Sequence, residues 1–162
     1  MARKFEKISF EQFKKDIKDD QELYNTYNIP VRKTKTSAGY DFEALEDYII
    51  KPNKFLTIPT GIKAEFNDDE VLFIIIRGSM GFKYNIRMSN QVGVIDSDYY
   101  NNEANEGHMF IKLQNKGSKD YYIKKGQGIA QGIFMKYLIT DDEEEISAER
   151  KGGFGSTNKG ED

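Results

Sequence analysis

An all-β fold is predicted for residues 40–138, on three observations. Short β-prone runs recur at Phe55–Ile58, Val71–Ile76, Met109–Leu113 and Ile129–Phe134, parted by Gly, Asn, Asp and Lys. No stretch between them keeps the apolar period of an amphipathic helix. The G-x-x-x-x-G-K-[ST] phosphate loop is absent, which disfavours a P-loop nucleotidase. A barrel, a sandwich and a jelly roll all suit this spacing.

The flanking segments follow from local signals. Ser9-Phe-Glu-Gln12 reads as a capping box, in which Ser9 accepts from the Gln12 amide and the Gln12 side chain reaches back to the cap. Phe10, Phe13 and Ile17 then line one face of a short helix. Lys18 to Asn28 is polar and reads as the end of that helix and a connection. Pro30 turns Ile29 away from helix, so an extended segment begins at Val31. Residues 1–29 are thus a helical arm. Beyond Leu138, the run Asp141-Asp-Glu-Glu-Glu145 reads as a solvated segment, because adjacent like charges favour exposure. Residues 148–162 form a Gly-rich tail that embeds Phe154, Ser156, Thr157 and flanking cations, a composition suited to closing over an anionic ligand.

The 162 residues suit one domain, 1–162, with no internal repeat or low-complexity linker to divide it. Lys and Arg number 24 against 27 Asp and Glu, and they are scattered, which argues against binding polymeric nucleic acid by counterion release. The absence of cysteine excludes disulfides, thiolate nucleophiles and cysteine zinc sites, and His108 alone cannot make a multi-histidine centre. Any metal is therefore a hard, oxygen-bound one. No apolar run resembles a signal peptide or a membrane span, so a cytoplasmic location is expected.

Three loops carry candidate chemistry, and each alone also reads as an ordinary turn. Ser37-Ala-Gly-Tyr-Asp41 sets a carboxylate beside a strand start, with Gly39 permitting a tight path. Arg77-Gly-Ser-Met-Gly81 leaves an apolar strand with a guanidinium, a hydroxyl and two glycines, a workable phosphate cradle on a Gly-rich bend. Gly93-Val-Ile-Asp96-Ser-Asp98-Tyr99 leads an apolar pair into two carboxylates and a ring. A carboxylate that deprotonates water next to a ring that packs on a sugar suits nucleotide hydrolysis.

Taken in order with Gly126-Gln-Gly-Ile-Ala-Gln131 and the Arg150–Thr157 tail, these segments resemble the five motifs of the trimeric dUTPase family, over about residues 30–160. The resemblance implies a jelly-roll-like distorted β-barrel that forms a homotrimer with shared active sites, and hydrolysis of dUTP to dUMP and pyrophosphate. By the same resemblance, Asp96 activates the water that attacks the α-phosphorus. Asn90, with the main chain of Gly93, Val94 and Ile95, reads uracil in a β-hairpin slot, and Tyr99 packs on the deoxyribose. Arg77, Gly78, Ser79 and Gln131 contact the phosphates. Arg150, Phe154, Gly155, Ser156 and Thr157 close from the tail, with Phe154 stacked on uracil. Mg2+ is implied as the cofactor, bound mainly through the substrate phosphates, with Asp41 approaching it through water.

The chain departs from the family pattern at four places. Gly78 stands where Ser commonly follows Arg, and Gly128 where Arg commonly precedes Ile-Ala-Gln, removing a structural ion pair. The spacer between Arg150 and Gly-Phe-Gly is one residue short. Tyr100-Asn-Asn-Glu-Ala-Asn-Glu-Gly107 replaces a short turn and reads as a surface loop whose asparagines and glutamates are also able to reach a neighbouring subunit or the site mouth, with His108 beside it structural. Two rivals share the fold: a dCTP deaminase, against which Lys112 stands where a catalytic Glu is expected, and a nucleotide-binding regulatory protein with weakened turnover, motivated by Gly78 and the insertion.

Overall fold

The computed structural model describes residues 2–154. It is mostly β, with a jelly-roll-like arrangement of small antiparallel sheets. In chain order the strands are β1 (Lys4–Lys7), β2 (Tyr40–Glu43), β3 (Tyr48–Ile50), β4 (Phe55–Pro59), β5 (Ile62–Glu65), β6 (Glu70–Ile75), β7 (Ile86–Met88), β8 (Gly93–Asp96), β9 (Phe110–Asn115), β10 (Tyr121–Ile123) and β11 (Gly128–Lys136). The largest sheet runs β2-β11-β6-β8, and a second runs β4-β9-β7, with pairs β1-β5 and β10-β3 completing the shell.

The four predicted strands all form, with ends shifted by one or two residues. β9 alternates as a half-buried strand does: Ile111, Leu113 and Asn115 point inward and Lys112 outward. β6 is apolar on both faces from Val71 to Ile75, with Phe73 and Ile75 half-buried, and lies inside its sheet between β11 and β8.

Among the described residues, three α-helices join this shell. In α1 (Phe10–Asp16) the Ser9 hydroxyl caps the Gln12 amide at 3.2 Å, as the sequence predicts. The reciprocal half of the capping box is different: Gln12 donates to Asp16, and the Ser9 amide is taken by Glu106 at 2.7 Å. The stretch read as a connection holds a second helix, α2 (Gln21–Thr26), capped by Asp20 through the Leu23 amide. Its Leu23 is buried, and Tyr27 just after it stacks on Phe13. The bend expected at Arg77–Gly81 is instead the start of α3 (Gly78–Tyr84), which buries Met80 and ends on Asn85 in the left-handed conformation. A buried anchor and a sound C-cap outweigh two glycines that disfavour helix.

Candidate functional site

Strand register decides which candidate residues meet. β8 pairs with β6 so that Asp96 faces Val71 and Gly93 faces Ile74. At the other end of β6, Ile75 faces Gln131, and Gln131 in turn faces Asp41 of β2. Asp41, Gln131 and the Arg77 that follows β6 therefore converge, while Asp96 lies four to six residues, roughly 13 to 20 Å, away along the strand. The candidate residues form two clusters at opposite ends of β6.

The first cluster surrounds a cavity of about 180 Å³, lined by Asn90, Gly93, Val94, Ile95, Asp96, Tyr99, Arg150 and Phe154, with Met88, Phe110 and Ile111 as its apolar wall. β7 pairs with β9 and β8 with β6, so the expected hairpin is not a paired ladder. Its two arms belong to different sheets, and the cavity opens between them. β8 lies at the edge of its sheet, so its outer main-chain groups face away from β6. A side chain at Gly93 would bring a Cβ within 3.2 Å of the Ile74 Cβ, so glycine lets β8 lie close on β6.

Asp96 ends β8 with its carboxylate about half exposed, and the following helical turn, Ser97–Tyr99, swings Tyr99 under it. The Tyr99 ring is buried, and its hydroxyl donates to the His108 carbonyl at 2.7 Å and accepts from Asn105 at 2.8 Å. Burial is the main cause that raises the Tyr99 pKa above the ordinary phenol value, keeping its proton in place as a donor. Arg150 forks across the cavity mouth, donating to Asp96 and Asp98, each at 2.7 Å. Gly153 lies against the Tyr99 ring, where a Cβ would come within 2.8 Å of Cε1. Phe154 is exposed and tilts toward Phe110, 6.4 Å between centroids. Gly155, Ser156 and Thr157 lie outside the described residues.

The second cluster lines a more open cavity of about 420 Å³, formed by Lys33, Asp41, Arg77, Gly78, Ser79 and Gln131 with the neighbouring Ser37 loop. Its contacts are long: Arg77 to Asp41 3.6 Å, Arg77 to the Gly128 carbonyl 3.4 Å, and Gln131 to the Ile76 carbonyl 3.3 Å. Arg77 is the N-cap of α3 without a side-chain cap bond, so the first amides of that helix have no intrahelical acceptor. Gly128 is the floor on which Arg77 lies, since a Cβ there would meet Nη1 at 2.8 Å. Gly78 has open space around it.

The sequence reading did not identify Asp98 as a partner of Arg150, Phe110 as a cavity wall, or Asn105 as a partner of Tyr99. Asp98 had a signal, being the second carboxylate of the same motif. The other two depend on long-range packing. His108 is fully buried and structural in its contacts: Nε2 accepts from the Gly61 amide at 2.9 Å, so Nδ1 carries the proton toward Asp16 at 2.7 Å. Burial first of all holds its pKa below the ordinary histidine value, against the opposing pull of Asp16. Lys112 points away from the cavity and lies over the Phe55 ring. Among the described residues, no group of three or more His, Asp or Glu is placed to hold a metal ion, and no helix is long and apolar enough to cross a membrane.

A mostly β shell with an apolar slot, a half-exposed carboxylate and a separate basic cradle defines a nucleotide-handling protein. A sequence profile described as dUTPase matches residues 25–158. The chain is 48% identical over 131 residues to the deoxyuridine 5'-triphosphate nucleotidohydrolase of Lactococcus lactis, covering 80% of this chain and 87% of that one. It is 37% identical over 122 residues to the enzyme of the same name from Blochmanniella pennsylvanica, covering 74% and 78%. In structure it is similar to the dUTPase from Streptococcus mutans, with a TM-score of 0.68 and 36% identity over 85% of this chain and 98% of that one. The chain belongs to the dUTPase family.

Proposed function

We propose that the protein hydrolyses dUTP to dUMP and pyrophosphate, with Asp96 holding the attacking water and taking its proton as the oxygen bonds to the α-phosphorus and the pyrophosphate oxygen departs. The observation that carries this reading is the pairing of a half-exposed Asp96 with the buried ring of Tyr99 at the mouth of one small slot. In this reading the base enters between β7 and β8, with Asn90 and the free edge formed by Gly93, Val94 and Ile95 reading uracil. The deoxyribose lies on Tyr99, where a ribose 2′-hydroxyl would meet the ring and lose its water. Arg150 leaves Asp96 and Asp98 for the substrate phosphates, freeing Asp96 to act. Phe154 covers the base, with Gly155, Ser156 and Thr157 following it onto the ligand.

Arg77, Gly78, Ser79 and Gln131 supply the phosphate cradle. Because that cradle lies at the far end of β6 from Asp96, a complete site needs a second subunit, and a homotrimer would join the cradle of one chain to the slot of another. The oxygen donors of the cradle, Asp41 foremost, fit a hard divalent ion held chiefly by the phosphates and reached through water. Bound Mg2+ would offset the charge that develops on the pyrophosphate leaving group. A cytoplasmic location suits a chain without cysteine that draws on a soluble nucleotide pool.

Pyrophosphate release from dUTP with magnesium tests the reading. Asp96→Asn is expected to lower kcat by about 100- to 10,000-fold, and a rate comparable with that of the starting protein would overturn the role given to Asp96.

A further inference from the structure

We propose that the insertion Tyr100–Gly107 is a clasp for Tyr99 and that Asn105 within it is a positioning residue for the choice of deoxyribose over ribose. The inference rests on the reading of Tyr99 as the ring against which the sugar packs.

A loop that merely spanned two strands would turn its polar side chains to water. This one leaves Asn101 and Glu103 at the surface but turns Asn102 and Asn105 inward. Asn102 is buried, and its amide donates to the Tyr99 carbonyl at 2.8 Å and to Asn105 Oδ1 at 2.8 Å, while its own Oδ1 accepts from the amides of Ala104 and Asn105. Gly107, at φ +90°, brings the chain back so closely that a Cβ there would lie 2.8 Å from the Tyr99 carbonyl oxygen. The Gly107 amide also donates to Asn105 Oδ1 at 3.1 Å. The oxygen of Asn105 is thus spent on folding the loop, and its nitrogen is left aimed at the Tyr99 hydroxyl.

That second bond is not needed to satisfy a buried phenol. The hydroxyl proton already has an acceptor in the His108 carbonyl, and His108 is itself fixed by Asp16 and Gly61. What the Asn105 bond adds is a second direction. The hydroxyl sits at the far end of the ring from Cα, on the ring's own long axis, where restraint most effectively limits swing of the whole ring about χ1. Exclusion of one extra hydroxyl by a ring face depends on that ring not yielding. Glu106 ties the clasp to the rest of the chain by accepting from Lys63, Ser9 Oγ and the Ser9 amide.

The test measures kcat/KM for dUTP and for UTP, with the thermal midpoint, in Asn105→Asp, Tyr99→Phe and the double variant. Asn105→Asp keeps the oxygen that folds the loop but leaves one proton for two acceptors, so one of the two bonds to the hydroxyl is lost. The dUTP-to-UTP ratio is expected to fall about fivefold, chiefly through a gain in UTP turnover, and Asn105→Asp should add nothing further in the Tyr99→Phe background. An unchanged ratio, or an equal fall in both backgrounds, overturns the proposal. So does full discrimination by Tyr99→Phe, which removes both bonds whether or not the Asn105 variant folds. A starting protein that accepts UTP as well as dUTP would overturn the reading of Tyr99 itself, whereas a discriminating protein with indifferent variants would overturn the clasp alone.

Discussion

The two ends of β6 are built on opposite plans. At the Asp96 end, Tyr99 is buried and held by two bonds under 3 Å, and the groups that hold it are held in turn. At the Arg77 end the contacts of Arg77 and Gln131 are all longer than 3.2 Å and the cavity stands open. A surface that discriminates by shape has to be rigid in the free chain, whereas a cradle for a flexible, highly charged group gains its order from the ligand. Under the proposed function, the difference teaches that specificity is folded into one chain and that phosphate binding is completed later.

The largest way to break this comparison is Arg77→Ala. Loss of a forked cation from a phosphate site is expected to lower kcat/KM for dUTP by about 100-fold, with the dUTP-to-UTP ratio unchanged because Tyr99 is untouched; steady-state kinetics with both nucleotides checks this. A loss confined to discrimination would mean that the two ends are not separate in role.

A smaller effect is expected from Gly128→Ala. The nearest atoms to the added methyl are Nη1, Cδ and Cζ of the flexible Arg77 side chain rather than backbone. Kinetics should show a fall in kcat/KM of about threefold to tenfold, with the thermal midpoint nearly unchanged. A large loss of stability instead would make Gly128 a backbone necessity rather than the floor of the cradle.

The smallest effect concerns pH and belongs to the Tyr99 end alone. His108 is buried as the neutral form, with its pKa lowered mainly by burial. The unfolded chain therefore takes up a proton first as pH falls. Stability is complete above the ordinary histidine pKa of about 6.5 and declines below it, toward the depressed folded value, by at most about 1.4 kcal/mol per pH unit. Urea unfolding between pH 5 and 8 should show that slope, and His108→Gln should flatten it.

Legibility in the sequence followed the same division. Gly93 to Tyr99 is one contiguous segment, so its carboxylate and ring were readable side by side, as were the apolar strands β6 and β9 that support it. The meeting of Asp41, Gln131 and Arg77 depends on the register of three strands drawn from distant parts of the chain, and no local pattern encodes that. α2 was missed because a polar helix six residues long shows little period, although Asp20 and Leu23 marked its start. α3 was missed because Gly78 and Gly81 signal a bend, and burial of Met80 with the Asn85 C-cap overrides them. The expected hairpin failed as a ladder because its arms feed different sheets, and the insertion lies at the surface through Asn101, Glu103 and Ala104 while Asn102 and Asn105 reach inward to Tyr99. The acidic run, read as solvated, is exposed throughout.

The central claim is that the cradle of one chain serves the slot of another, and subunit mixing tests it most directly. Arg77→Ala and Asp96→Asn chains are each nearly inactive in this account; unfolded together in equal amounts and refolded, they should recover about one quarter of the starting activity, because one site in four draws an intact cradle and an intact Asp96 from two different chains. Mixed oligomers that form and remain as inactive as either variant alone would contradict it.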